Sequence, residues 1–178
     1  MIIRPAEQSD LETCVALDSS FQTDHVWQME EREEENAILV AFRTARLPRT
    51  VYVAYPRDNR SLAEDYAQGH GILIAEKEET GEILGFLSIQ FQYWHDTGWI
   101  RDLVVDRRYR RQGVGSALLK AAAQWANEHG LNRLIAETQT KNYPAICFYQ
   151  KHGFAFCGFN DRYYANQDIA LFFSLSLR

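Results

Sequence analysis

Apolar and polar positions along the chain repeat with two different periods, and the change from one to the other falls at Arg110-Arg111-Gln112-Gly113-Val114-Gly115-Ser116-Ala117. Before that junction, residues 99–106 (Trp-Ile-Arg-Asp-Leu-Val-Val-Asp) form a β-branched, apolar run closed by polar residues, as a buried strand would be. After it, Leu118, Ala121, Ala122 and Trp125 recur at helical spacing, and Gly130 stands where a helix C-cap would. The same reading predicts a short strand at Ile2-Ile3-Arg4-Pro5, then a helix opened by a capping box at Ser9-Asp10-Leu11-Glu12. Residues 19–27 mix aromatic and polar types without a clean period, so a loop or short helix is expected. The acidic run 30–35 reads as a solvated surface segment.

Two strands are predicted at 38–43 and 51–55, with Leu47-Pro48-Arg49-Thr50 as a turn between them. The polar stretch 57–71 is given a short helix over 62–67. Residues 72–75 and 83–93 flank Glu78-Glu79-Thr80-Gly81-Glu82 as an antiparallel hairpin, and 95–98 turn the chain into the strand before the glycines. A strand at 131–138 should return parallel to that one, by the usual handedness of crossovers. Asn142-Tyr143-Pro144 opens a short helix bearing Ala145, Ile146, Phe148 and Tyr149, closed by Gly153. Strands over 154–159 and 169–177 complete the chain.

The glycine loop ends at a helix N-terminus, where unpaired amides and the positive end of the helix dipole point outward. Gly113 and Gly115 let backbone approach a ligand without a Cβ in the way, and Arg110 and Arg111 add charge. A pyrophosphate suits that geometry. The loop is not Gly-x-Gly-x-x-Gly, because Leu118 occupies the last place, and it lacks the Gly-Lys-Ser/Thr ending of a nucleoside-triphosphatase loop.

Composition narrows the class. At 178 residues, 46% hydrophobic and 24% charged, the chain is expected to be one domain, 1–178, with a sizeable core. Its apolar runs fall far short of the ~20 residues that span a bilayer, and residues 1–5 carry no signal-peptide pattern, so a cytoplasmic protein without membrane contact is expected. Cys14, Cys147 and Cys157 have neither disulfide numbers nor metal spacing, and the five histidines are scattered, so no metal is expected. A net charge of −5 with one short basic run argues against nucleic acid and suits a cationic partner. Assembly as a homodimer is left open.

The Arg-x-x-Gly-x-Gly loop resembles the coenzyme A loop of the GNAT superfamily of N-acetyltransferases, and residues 142–154 (Asn-Tyr-Pro-Ala-Ile-Cys-Phe-Tyr-Gln-Lys-His-Gly-Phe) look like that family's second signature. The resemblance implies an α/β fold with a mixed, mostly antiparallel sheet, a parallel central strand pair and helices on both faces. It further implies acetyl-coenzyme A as cosubstrate. Pantetheine would lie along Leu103, Val104 and Val105, and the pyrophosphate on the amides of Arg111, Gln112, Gly113, Val114, Gly115 and Ser116. Asn142 and Tyr149 would face the cofactor, with Tyr149 protonating the departing thiolate.

One departure stands out. Many members carry Glu-Asp where this chain has Arg101-Asp102, so the amine is expected to be deprotonated by Asp102, by Glu137 or through water, with Asp102 the first choice, or else to arrive neutral. Residues 16–26, 157–159 and 168–172 also resemble streptothricin acetyltransferases, which modify a β-lysine amine. The expected acceptor is therefore a small polycationic amine held by Asp24, Asp96 and Glu137 between Phe21 and Trp27. A protein or peptide acetyltransferase and a non-catalytic coenzyme A sensor of the same fold remain the alternatives.

Overall fold

In a computed structural model, residues 1–56 and 60–177 are described, and residues 57–59 of the polar stretch lie outside them. A seven-stranded sheet has the order β1 (Ile2–Pro5), β4 (Gly71–Lys77), β5 (Glu82–Gln92), β6 (Thr97–Val105), β7 (Arg133–Gln139), β9 (Ala170–Ser176), β8 (Ala155–Asn160). The β6–β7 pair is parallel and the other neighbours are antiparallel. Helix α3 (Val114–Glu128) is the crossover that a parallel pair requires, and it lies across β4, β5 and β6. Helices α1 (Leu11–Ala16) and α2 (Arg60–Ala67) cover the opposite face, and α4 (Tyr143–Lys151) packs near β7 and β8.

The period-2 pattern explains the two cores. Along β4, Leu73 and Ala75 face α3 with Leu118, Leu119, Ala122 and Ala126, whereas Ile72 and Ile74 face α1 and α2 with Cys14 and Leu62. A strand buried on both faces reads as an unbroken apolar run, which is why residues 72–75 and 83–89 show no alternation of polarity.

Three expectations change. Residues 19–27 are not a loop or short helix: β2 (Phe21–Glu34) pairs antiparallel with β3 (Ala37–Val53) in a long ribbon separate from the main sheet. The acidic run is exposed, as expected, but as the outer half of β2 and its turn at Glu35 and Asn36. The two strands at 38–43 and 51–55 are one strand whose register jumps, since Thr23 pairs with Val51 and His25 with Arg46. Pro48 thus sits in an irregularity rather than a turn, where its missing N–H breaks no ladder bond. The first helix begins on Asp10 rather than Ser9: Glu7 N–H donates to Asp10 Oδ2 at 2.7 Å, and residues 8–10 form a single 3₁₀ turn ahead of α1.

Candidate active site

The site begins where two strands part. β6 and β7 pair only from Thr97–Arg133 to Ile100–Ala136, yet β6 stays bonded to β5 as far as Val105 and β7 to β9 as far as Gln139. Arg101 onward and Glu137 onward therefore present facing strand edges with no ladder between them. A bulge accompanies the parting, since Ser88 pairs with Asp102 and Ile89 with Ile100, leaving Arg101 as the extra residue. The bulge reverses the facing of β6. Ile100, Leu103 and Val105 turn to the α3 core, and Asp102 and Val104 turn to the α1–α2 side.

The glycine loop lies at the end of β6. Arg111 (φ 64°) and Gly113 (φ 88°) take left-handed backbone, and Gly113 caps α3. Ala117 N–H, bonded to Gly113 O at 3.0 Å, is the first of the helix to find an intrahelical partner, so the amides of Val114, Gly115 and Ser116 are the orphan donors of this terminus. This fits an anion. A Cβ at Gly115 would meet Phe148 only at 3.5 Å, which is ordinary contact, so in this protein alone Gly115 is not required for space. The basic cluster divides. Arg110 donates to Val105 O at 2.8 Å, Ser20 O at 2.7 Å and Asp18 O at 2.5 Å, tying the chain before β2 to the end of β6. Burial lowers its pKa. Arg108 is engaged by Asp106 and Glu82. Arg111 and Gln112 remain exposed, with Gln112 Nε2 donating to Arg108 O at 2.9 Å, and Ser116 Oγ lies 3.0 Å from His152 Nε2.

Two cavities open on the face away from α3, and both are lined by Tyr55. One includes Cys14, Leu62, Phe86 and Asp102 in its wall. There Asp102 is buried, accepting from Tyr55 O–H at 2.9 Å and from Ser88 Oγ at 2.7 Å. The other is lined by Arg101, Glu137, Gln139, Asn142 and Tyr164, among others. Glu137 Oε2 accepts from Trp99 Nε1 at 2.8 Å and from Tyr163 O–H at 3.1 Å. Tyr149 is buried against Phe154 and Phe173 at the parting. Burial raises its phenol above the ordinary range, and the charges of Asp102 and Glu137 raise it further. Tyr164 is raised for the same first reason, with Glu137 next.

The expected acceptor residues do not all converge. Glu137 lines a cavity, but Asp24 is exposed on the ribbon and bonded to His25 Nδ1 at 2.8 Å, a contact that holds its carboxyl below the usual range. Asp96 stands at the opening of β6 beside Asn132, about 20 Å along the strand from Asp102 at the usual rise per residue. Trp27 is packed among Phe42, Phe156 and Phe173, and Phe21 is buried; neither lines the two cavities described above. Asn142 caps α4 by accepting from Ala145 N–H at 3.2 Å while also lining the second cavity. Val104 points into the α1–α2 core, so only the backbone edge of β6, with Leu103 and Val105, faces the α3 side of the parting.

Tyr55, Ser88, Gln139, Tyr163 and Tyr164 were not anticipated. The adjacent tyrosines in a polar loop between two strands were the visible signal. Among the described residues no group of His, Cys, Asp or Glu is arranged to hold a metal, and no helix is long and apolar enough to cross a membrane.

The parting of the parallel pair and the orphan amides of the α3 terminus thus lie together at the end of β6. The chain belongs to the GNAT family of acetyltransferases, whose model matches residues 16–154, and it is an N-acetyltransferase of that fold. It is 30% identical over 164 residues to the streptothricin acetyltransferase of Streptomyces lavendulae, covering 90% of this chain and 85% of that one. Its fold superposes on the crystal structure of a nourseothricin acetyltransferase with a TM-score of 0.83 at 25% identity, over 99% of this chain and 98% of that one. A Bacillus anthracis str. Ames protein solved in complex with acetyl coenzyme A gives a TM-score of 0.77 at 26% identity, over 98% of each chain. GNAT enzymes use acetyl-coenzyme A, and the free strand edge and orphan amides of this chain fit it.

Proposed function

We propose that the chain acetylates a primary amine of a small polycationic substrate of the streptothricin type. The observation that carries this reading is the pair of carboxylates, Asp102 and Glu137, each held by tyrosine and other side-chain donors beside the cavities at the parting of β6 and β7. Fixed carboxylates flanked by aromatic rings attract ammonium groups. The near full-length similarity to a streptothricin acetyltransferase supports the same substrate class.

Bound acetyl-coenzyme A supplies the activated acyl carbon and a thiolate leaving group. In this reading the amides of Val114, Gly115 and Ser116 receive the pyrophosphate, and Arg111 adds charge beside them. The open edge of β6 offers backbone groups to the pantetheine arm. Asp102, oriented by Tyr55 and Ser88, takes the proton from the amine directly or through water. Tyr149 holds the proton destined for the departing sulfur. Its raised pKa does not spoil the match, because the burial that raises the phenol raises a thiol in the same surroundings as well.

The test is release of free coenzyme A from acetyl-coenzyme A with streptothricin, spermidine, lysine and a short peptide, with mass spectrometry of the product. Streptothricin should gain one acetyl group with the highest kcat/KM. Preference for the peptide N-terminus, or thioester consumption without an acetylated amine, would overturn the reading.

A further inference from the structure

Two buried polar atoms lack any hydrogen-bond partner among the described residues: Arg101 Nε, a donor, and Gln139 Oε1, an acceptor. Both residues line the same cavity. A buried polar group without a partner is costly, so two in one wall call for a ligand that satisfies both.

The direction of the Gln139 amide is set by chemistry. Its Nε2 donates to Asp168 Oδ2 at 2.7 Å, and a carboxylate accepts but cannot donate, so the amide cannot turn round without losing that bond. Asp168 is itself held by Lys141 Nζ at 2.6 Å and Asn166 Nδ2 at 2.9 Å. Its backbone carbonyl also accepts from the amides of Tyr163 and Tyr164, fixing the loop that brings both rings to the site. Gln139 is 1% exposed, so its carbonyl oxygen is a preset acceptor. Arg101 is the bulge residue; its Nη1 donates to Gln90 Oε1 at 2.7 Å, and its Nε is the guanidinium donor that is buried without a partner.

Resting on the proposed amine acetylation, we infer that Arg101 and Gln139 recognise a neutral amide carried by the acceptor, with Arg101 Nε donating to its carbonyl and Gln139 Oε1 accepting from its N–H. Asp168 is a positioning residue for Gln139. The site therefore selects an amine that bears an amide, such as an aminoacyl amide, over a bare polyamine of equal charge. Charge alone brings either molecule to Glu137, and the amide decides between them.

Lysinamide and 1,5-diaminopentane share two amines and the same carbon chain but differ by the carboxamide. Calorimetry with coenzyme A present, together with kcat and KM with acetyl-coenzyme A, compares them. A site built to hydrogen-bond a group rejects the analogue lacking it strongly, so lysinamide should lead by roughly 10²-fold in kcat/KM and by at least about tenfold in affinity. Arg101→Met and Gln139→Leu should each erase most of that lead while leaving the KM for acetyl-coenzyme A unchanged. Asp168→Asn can donate to the Gln139 oxygen and so reverses the amide, raising KM for lysinamide but not for 1,5-diaminopentane. Equal binding of the two amines by the wild-type protein, or a lead that survives both Arg101→Met and Gln139→Leu, overturns the inference. Failure to acetylate any amine overturns the proposed function instead, and the binding comparison still decides this inference. Retained affinity for coenzyme A shows that each variant has folded.

Discussion

Arg110 Nη1 donates to the carbonyl oxygen of Ser20, ninety residues earlier in the chain, at 2.7 Å. The arginine expected to face an anion thus spends its donors on backbone carbonyls and joins α1's exit to the end of β6. Arg110→Ala leaves three carbonyls to find water and should cost about 2–4 kcal/mol. For a protein of this size that lowers Tm by roughly 5–15 °C. Arg111→Gly, at an exposed position whose φ of 64° suits glycine, should leave Tm within a degree or two and weaken coenzyme A binding. Thermal unfolding and calorimetry of the two variants check this, and the opposite assignment of effects would return Arg110 to the phosphate.

Tyr149→Phe keeps the ring among Phe148, Phe154 and Phe173 and removes only the hydroxyl, which has no hydrogen-bond partner among the described residues. Stability should be unchanged or slightly improved. If the phenol acts in the transition state, kcat should fall by about 10²-fold with little change in the KM for acetyl-coenzyme A. Because burial and two nearby carboxylates raise its pKa, the phenol stays protonated through the alkaline working range. Any loss of wild-type rate below pH ~10 should therefore persist unchanged in Tyr149→Phe, which a pH–kcat profile of both enzymes would show.

Much of the fold was legible because α3 and the strands on either side of it carry one clear period each. Leu118 and Ala122 mark one helical stripe, and residues 72–75 and 83–93 flank a turn-forming segment that marks a hairpin. The ribbon was not legible for a physical reason. Its outer half is exposed on both faces, so backbone pairing holds it and no alternation is imposed on Glu30, Glu31, Glu33 and Glu34. The glycine loop and the helix that follows it are neighbours in sequence, so their place at the end of β6 was legible from local pattern alone. The proposed acceptor cavity is lined by Tyr55, Arg101, Glu137, Gln139 and Tyr164, which the sheet order and one bulge bring together. No local pattern announces such a set. Asp24 and Asp96, expected from charge alone, are not among the residues that line this cavity.

The last prediction concerns acid stability. Arg4 reaches Asp10 through Nη1 at 2.8 Å and Nη2 at 3.1 Å, and Glu76 through Nε and Nη2, so β1, β4 and the start of α1 meet at one guanidinium. The Arg4 hydrogen bonds, helped by Glu7 N–H, hold the Asp10 carboxyl below its usual range. A carboxyl whose folded pKa lies below its unfolded value of about 3.9 favours the native state once pH exceeds that value, and the benefit drains away as pH falls through the folded pKa. With Asp10 only 11% exposed at its side chain, the pair is not screened as a surface pair would be. Asp10→Asn should thus cost about 2 kcal/mol at pH 7, or roughly 4–8 °C in Tm. The gap between variant and wild type should narrow as pH drops below about 4, because the wild-type protein then loses what the variant never had. Asp24→Asn serves as the control, since that carboxylate is exposed and its partner His25 lies next to it on the same strand. Urea midpoints for the three proteins at pH 7, 5 and 3 decide the matter: a gap for Asp10→Asn that stays constant down to pH 3 would mean that packing, not the charge on Asp10, holds this corner together.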